Sequence, residues 1–260
     1  MKKLVKVLKE CYLALILLFL YAPIGLMIAM SFNSGTSRAR FEGFSLSHYK
    51  EMLGDEMMLN ALKNTLIIAL FASVVATIIG TYAAFAIGKM GPWMKASAIK
   101  VLNIPMLNAE IVTGISLMLF FVFASVPLGF FSLLIAHTMF NVPYVTMSVL
   151  PKIRQLNKST YEAALDLGAS PLLAFRKIVL PEIMPGILSG ALLAFTLSLD
   201  DFIISYFTSG SDFMTLSVYI NSMTKKSIPL SVNALSTIMF TVVFLLLLVV
   251  NLRKPAKEKE

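Results

Sequence analysis

Long apolar runs alternate with short polar segments along the whole chain. Six runs stand out, at residues 12–31, 61–88, 101–125, 128–150, 183–207 and 232–252. At about 1.5 Å of rise per residue, each is long enough as a helix to cross a hydrocarbon core of about 30 Å. The pattern predicts an all-α polytopic membrane protein with six transmembrane helices, organised as one membrane domain over residues 1–260. Composition agrees: 58% of residues are apolar, 14% are charged and mean hydropathy is +0.83. A soluble domain is about 45–50% apolar and about 25% charged, so a water-solvated globule is excluded.

The net charge of +8 raises the question of an anionic partner such as nucleic acid, but the 22 Lys and Arg lie between apolar runs and form no nucleic-acid-binding motif. They report orientation instead. With the N-terminus inside, the N-tail, the stretch 89–100, the stretch 151–182 and the C-tail carry four, three, five and four basic residues. That places sixteen of 22 on the cytoplasmic side and predicts that both termini are cytoplasmic. A cleaved signal peptide is the other reading of the first run, but about 20 apolar residues exceed the usual h-region. The single cysteine, Cys11, excludes an intramolecular disulfide and any multi-cysteine metal site.

Between the runs, Ser47 is a predicted N-cap for a short surface helix over 49–53, and Trp93 is a predicted interfacial anchor. Val126-Pro127 requires a tight outer hairpin between the third and fourth runs, and Lys225-Lys226 form a basic pair in the last outer loop. The stretch 158–185 is neither span nor plain loop. Ser159 with Glu162 fits a capping box, Gly168 stops the helix, and Ser170-Pro171 starts a second short helix ending at Leu180-Pro181. Two short helices at 158–181 therefore make a cytoplasmic knob, whose residues Ala163, Ala164, Leu167 and Leu172 either pack beneath their own bundle or meet a partner.

In that stretch Glu162-Ala163-Ala164, Gly168, Ile178, Leu180 and Pro181 fall in the register of the EAA loop. The chain thus resembles the permease subunits of binding-protein-dependent type I ABC importers, the MetI-like fold. The resemblance covers nearly the whole chain. It includes NALKNTLIIAL at 60–70, IPMLNAEIVTGISLMLFF at 104–121 and IAHTMFNVPYV at 135–145. LSLDDFIISYFTSG at 197–210 is similar to the second permease subunit of spermidine/putrescine importers, with Ser217 a departure from an expected proline. What the resemblance implies is an ATP-driven importer working by alternating access. Glu162, Ala163, Ala164, Asp166 and Gly168 are then the residues that dock on a cytoplasmic ATPase. The implied partners are a second permease, an ATPase dimer and an extracytoplasmic substrate-binding protein, all at the bacterial inner membrane. The chain has no GxxxxGK[ST] motif, so ATP and Mg belong to the partner ATPase and no cofactor is expected here.

Three carboxylates fall inside predicted spans: Glu110, Asp200 and Asp201. A carboxylate near the bilayer centre costs about 2.5–3.5 kcal/mol even on lenient scales, so each needs a partner, a wet cavity or a function. Counting along straight helices puts Glu110 about 13 Å from the inner end of its run and Asp200 about 22 Å from Pro185. Adjacent helical residues point about 100° apart, so one Asp faces a pathway while the other bonds within the protein. A polyamine requires separated anions and aromatic faces, which Glu110, Asp200, Asp201 and Tyr206 supply. Alternatively, Glu110 caps a helix interrupted near Pro105 and Asn108. His137 and Asn141 share one helix face and suit buried hydrogen bonding better than metal ligation. An intramembrane aspartyl protease fits poorly, because Asp200 and Asp201 are sequential rather than facing. Import of another small solute, or a passive cation channel, are the rival transport readings.

Overall fold

The computed structural model describes residues 2–37, 40–224 and 228–252. The basic pair Lys225-Lys226 and the C-terminal tail from Arg253 lie outside them. The described residues are overwhelmingly helical, with one isolated antiparallel bridge between Asn33 and Phe44. The helices are α1 (Lys2–Ser31), α2 (Ser47–Gly54), α3 (Glu56–Lys89), α4 (Pro92–Leu107), α5 (Glu110–Phe123), α6 (Phe130–Gln155) and α7 (Lys158–Asp166). Then come α8 (Pro171–Ala174), a π turn at Phe175–Val179, α9 (Leu180–Asp200), α10 (Ile203–Thr208), α11 (Leu216–Met223) and α12 (Ser231–Leu252).

Four helical stretches are long and apolar enough to cross a membrane: Lys9–Ser31, Glu56–Lys89, Phe130–Gln155 and Pro171–Asp200. Helices α4 and α5 make a fifth if taken as one broken span, because they bend by 99° at their junction. The expected straight third span at 101–125 is therefore corrected. Pro105 has no N–H to give the last turns of α4, and Asn108 and Ala109 adopt extended backbone. The expected fifth span at 183–207 is also interrupted, at Asp201-Phe202. Helix α3 starts earlier than its apolar run because Asp55 Oδ1 accepts from Met58 N at 2.9 Å. The sixth run forms α12, whose stretch Ser231–Leu245 is a shorter apolar helix.

The chain divides into two compact units, one drawn from 1–59 and 222–260 and the other from Asn60–Asn221. In the first, α12 packs with α1 and α2. Phe32 lies between Phe44 and Tyr49, with ring centroids at 5.4 and 5.2 Å. Ser31 Oγ and Tyr49 OH share a hydrogen bond of 2.9 Å. Helix α2 begins at Ser47 itself, so Ser47 is not its cap; its N–H donates to Ser45 Oγ at 3.1 Å.

The second unit is built around α6, which is buried along much of its length. Val145, Val149 and Leu150 of α6 pack with Ala76, Ala84 and Ile87 of α3 and Ala194 of α9. Close approach depends on glycine. A Cβ at Gly80 would lie 2.8 Å from the Val145 side chain, and one at Gly190 would lie 3.2 Å from Val145 Cα. A second cluster joins Phe121 of α5, Ala136 and Phe140 of α6 and Ile204 of α10. Pro143 lies within α6 without ending it, and the turn around Val126-Pro127 links α5 to α6 as a short hairpin.

Candidate functional site

The sequential pair Asp200-Asp201 straddles a helix break. Asp200 is the last residue of α9, and Asp201 leaves the helix with φ −60° and ψ 125°. The Asp201 carboxylate turns onto the start of α10, where Oδ1 accepts from Ile204 N at 3.3 Å and Oδ2 from Ser205 N at 2.7 Å. His137 Nε2 lies 3.4 Å from Asp201 Oδ2 and 3.1 Å from Ser205 Oγ. The Asp201 carbonyl accepts from Ser217 Oγ at 2.6 Å. This side chain is 5% exposed and both of its oxygens are engaged within the protein, whereas Asp200 is exposed.

The break gives the neighbours opposite electrostatic settings. The N–H groups that open α10 favour the Asp201 anion, while the free carbonyls that close α9 repel the Asp200 anion and attract a cation. A negative helix end carrying a carboxylate is thus a cation-seeking locus. Beside it is a cavity of about 200 Å³ lined by Glu110, Phe140, Leu197, Asp200, Asp201, Phe202 and Ile203. Glu110 is exposed and sits in the first turn of α5, directly after the 99° bend; the helix is interrupted there, but Ala109 occupies the cap position without a side-chain cap bond, so Glu110 does not cap it. Straight-helix counting therefore does not give its depth. Gly114, one turn on, lets α5 close against α10: a Cβ there would lie 3.0 Å from the Phe207 ring and 3.3 Å from Ile203 O.

The structure thus brings Glu110, Asp200 and Asp201 to one cavity. Tyr206 does not line it. Tyr206 is 56% exposed on α10, with its ring centroid 5.5 Å from Phe202 and 5.3 Å from Phe207. Phe140 and Phe202 are the aromatic walls that sequence reasoning did not single out; among so many apolar residues nothing local marks them. His137 and Asn141 share a face as expected and bond within the protein, Asn141 Nδ2 donating to Ser198 Oγ at 2.7 Å.

The 158–181 stretch differs in detail from its expectation. Asn157, not Ser159, caps α7, its Oδ1 accepting from Ser159 N at 3.0 Å. Glu162 thus has no Ser159 capping box to complete, and it is exposed. Gly168 ends the helix with φ +86°, and Ala169 N donates to Ala164 O at 3.0 Å while Gly168 N donates to Leu165 O at 2.9 Å. Ser170 Oγ then accepts from Leu173 N at 3.3 Å, with Pro171 in the first turn. The second helix does not stop at Leu180-Pro181: Leu180 N reaches back to Phe175 O, and the widened turn carries the chain directly into α9. Ala163, Asp166 and Gly168 are exposed and Ala164 is half-buried. Leu167 and Leu172, 89% and 76% exposed, flank them.

Apolar helices long enough to cross a membrane, with helix breaks at 108–109 and 201–202 beside an acidic cavity, mark a multi-pass membrane protein. The chain belongs to the family described as the binding-protein-dependent transport system inner membrane component, which it matches over residues 76–254. It is 37% identical over 232 residues to the spermidine/putrescine transport system permease protein PotC of Haemophilus influenzae, covering 89% of this chain and 90% of that one. It is also 37% identical over 227 residues to the putrescine transport system permease protein PotI of Escherichia coli, covering 85% and 81%. Among solved structures, a chain of a bacterial ABC transporter that imports the acidic polysaccharide alginate aligns with a TM-score of 0.77 and 17% identity over 97% of both chains. A chain of an amino acid ABC transporter aligns with a TM-score of 0.58 and 15% identity, over 80% of this chain and 94% of that one. These structural likenesses show the fold alone; one fold serves a polyanion importer and an amino acid transporter.

Proposed function

We propose that this chain is one permease subunit of an ATP-driven importer for the polyamines spermidine and putrescine. Glu110, Asp200 and Asp201 form the acidic part of the pathway, and Tyr206 is an aromatic face beyond it. The observation that carries the reading is the exposed Asp200 carboxylate on the carbonyl end of α9, in one cavity with Glu110, Phe140 and Phe202. An alkyl-diamine or triamine places ammonium groups several methylenes apart, so it needs spaced anions with apolar or aromatic walls between them. Helix ends that supply carbonyls to a cation at membrane depth are a recurrent device of transporters. The names of the relatives point to the same cargo.

In this proposal the chain crosses the membrane six times with both termini in the cytoplasm. Glu162, Ala163, Ala164, Asp166 and Gly168 dock on an ATPase dimer that carries ATP and Mg, with exposed Leu167 and Leu172 as apolar anchors. A second permease completes the pathway, and an extracytoplasmic binding protein delivers substrate. ATPase closure pulls on α7 and α8, and the continuous stretch Pro171–Asp200 transmits that movement to the Asp200 end.

Radiolabelled spermidine uptake by cells carrying the complete importer tests this. Asp200→Asn and Glu110→Gln are each expected to raise KM about tenfold with the protein still assembled. Unchanged spermidine uptake in both variants, or dependence of amino acid or iron uptake on this chain instead, overturns the reading.

A further inference from the structure

We propose that His137 is a positioning residue that decides which carboxylate of the Asp200-Asp201 pair is offered to the cavity. The proposal rests on the reading that the cavity takes a cation. His137 is 3% exposed on α6, and its Nε2 approaches both Asp201 Oδ2 and Ser205 Oγ. One turn along the same face, Asn141 holds Ser198 of α9. The two side chains therefore grip the break from both sides: Asn141 two residues before Asp200, and His137 at Asp201 and Ser205 just after it. Only Asp200, between the grips, is left exposed.

The energetics favour this division. A buried carboxylate needs donors on both oxygens, and Asp201 finds them in Ile204 N, Ser205 N and the imidazole. Without the imidazole, Oδ2 loses a side-chain partner and the reason for α9 to end at Asp200 weakens. If α9 continued by one residue, Asp200 would no longer be the helix-terminal carboxylate, and the exposed anion at the negative helix end would move by about 100°. His137 does not itself line the cavity; it touches the lining residue Asp201 and acts through it.

The test uses the complete importer in membrane vesicles, in a background otherwise free of cysteine. Asp200→Cys is labelled with a cationic methanethiosulfonate, with and without changes at His137. His137→Ala, and in parallel His137→Met, which fills the space without a donor, are expected to change the labelling rate about fivefold or more. His137→Gln, whose amide still donates, is expected to restore it to within about twofold. In uptake assays His137→Met raises the KM for spermidine, and the double variant with Asp200→Asn is no worse than Asp200→Asn alone. Unchanged labelling in whichever of the Ala and Met variants assembles, or effects on KM that multiply in the double variant, overturns the assignment. A spermidine KM unmoved by Asp200→Asn counts against the pathway reading instead, and the labelling arm still decides the role of His137.

Discussion

Thr65 and Leu216 are 151 residues apart in sequence, and Leu216 N donates to Thr65 Oγ1 at 2.8 Å. The same hydroxyl donates to Ala61 O at 3.0 Å, and neighbouring Asn64 donates its amide to Met214 O at 3.0 Å. On the other side, Ser132 Oγ donates to Thr208 O at 2.8 Å. The end of α10 is thereby strapped to α6, and the segment that follows it to α3, by side chains bonding backbone.

Because Thr65 is buried, Thr65→Val removes the acceptor and strands the Leu216 N–H in a nearly isosteric site. The expected loss is about 1–3 kcal/mol, read as a lower thermal midpoint of the purified assembly. Thr65→Ser, which keeps the hydroxyl, is expected to retain most of the stability.

Asp200 and Asp201 are expected to fail in different ways. Asp200→Asn leaves a folded subunit with raised spermidine KM. Asp201→Ala removes the carboxylate that accepts from Ile204 N and Ser205 N at the start of α10, and one partner of buried His137, and costs about 1–2 kcal/mol for the lost capping bonds alone. Membrane abundance and thermal midpoint, compared with uptake KM, separate the two; identical profiles would contradict the division of labour.

Gly80→Ala places a methyl 2.8 Å from the Val145 side chain and 3.1 Å from Val142 O. The α3–α6 contact must open, at about 1–3 kcal/mol. Gly54→Ala, at a position with nothing within 4 Å, is the matched control and is expected to show little change.

Gly168 has φ +86° and open space around it, so its requirement is conformational rather than steric. Gly168→Val is expected to destabilise the turn between α7 and α8 and to abolish co-purification of the ATPase, while Gly168→Asn retains part of it. ATPase recovered equally with both variants would contradict a docking role for this turn.

The apolar runs were legible because burial in lipid demands long hydrophobic stretches; all six are largely helical, two of them with breaks at 108–109 and 201–202. Gly168 and Ser170-Pro171 were legible because positive φ and helix initiation have strong residue preferences. The break at Asp201-Phe202 was not, because hydropathy reports removal from water and is blind to backbone direction; the one at Asn108-Ala109 showed only as an alternative, through Pro105 and Asn108. Leu107 and Ile111 are equally apolar on either side of a right-angle corner. The cap at Asn157 was missed because Ser159 satisfies the same preference two residues later. The continuation past Pro181 was missed because a π turn relieves the clash that proline imposes on an α-helix.

The corner at Asn108-Ala109 also bears on what can surround the chain in a bilayer. Leu107, Asn108, Ala109 and Glu110 are all exposed where α4 ends and α5 begins, and Asn108 and Ala109 adopt extended backbone. Hydrocarbon offers backbone groups no hydrogen bonds, so irregular backbone persists at membrane depth only against protein or water. Within a bilayer the corner therefore calls for protein or water beside it and cannot face acyl chains.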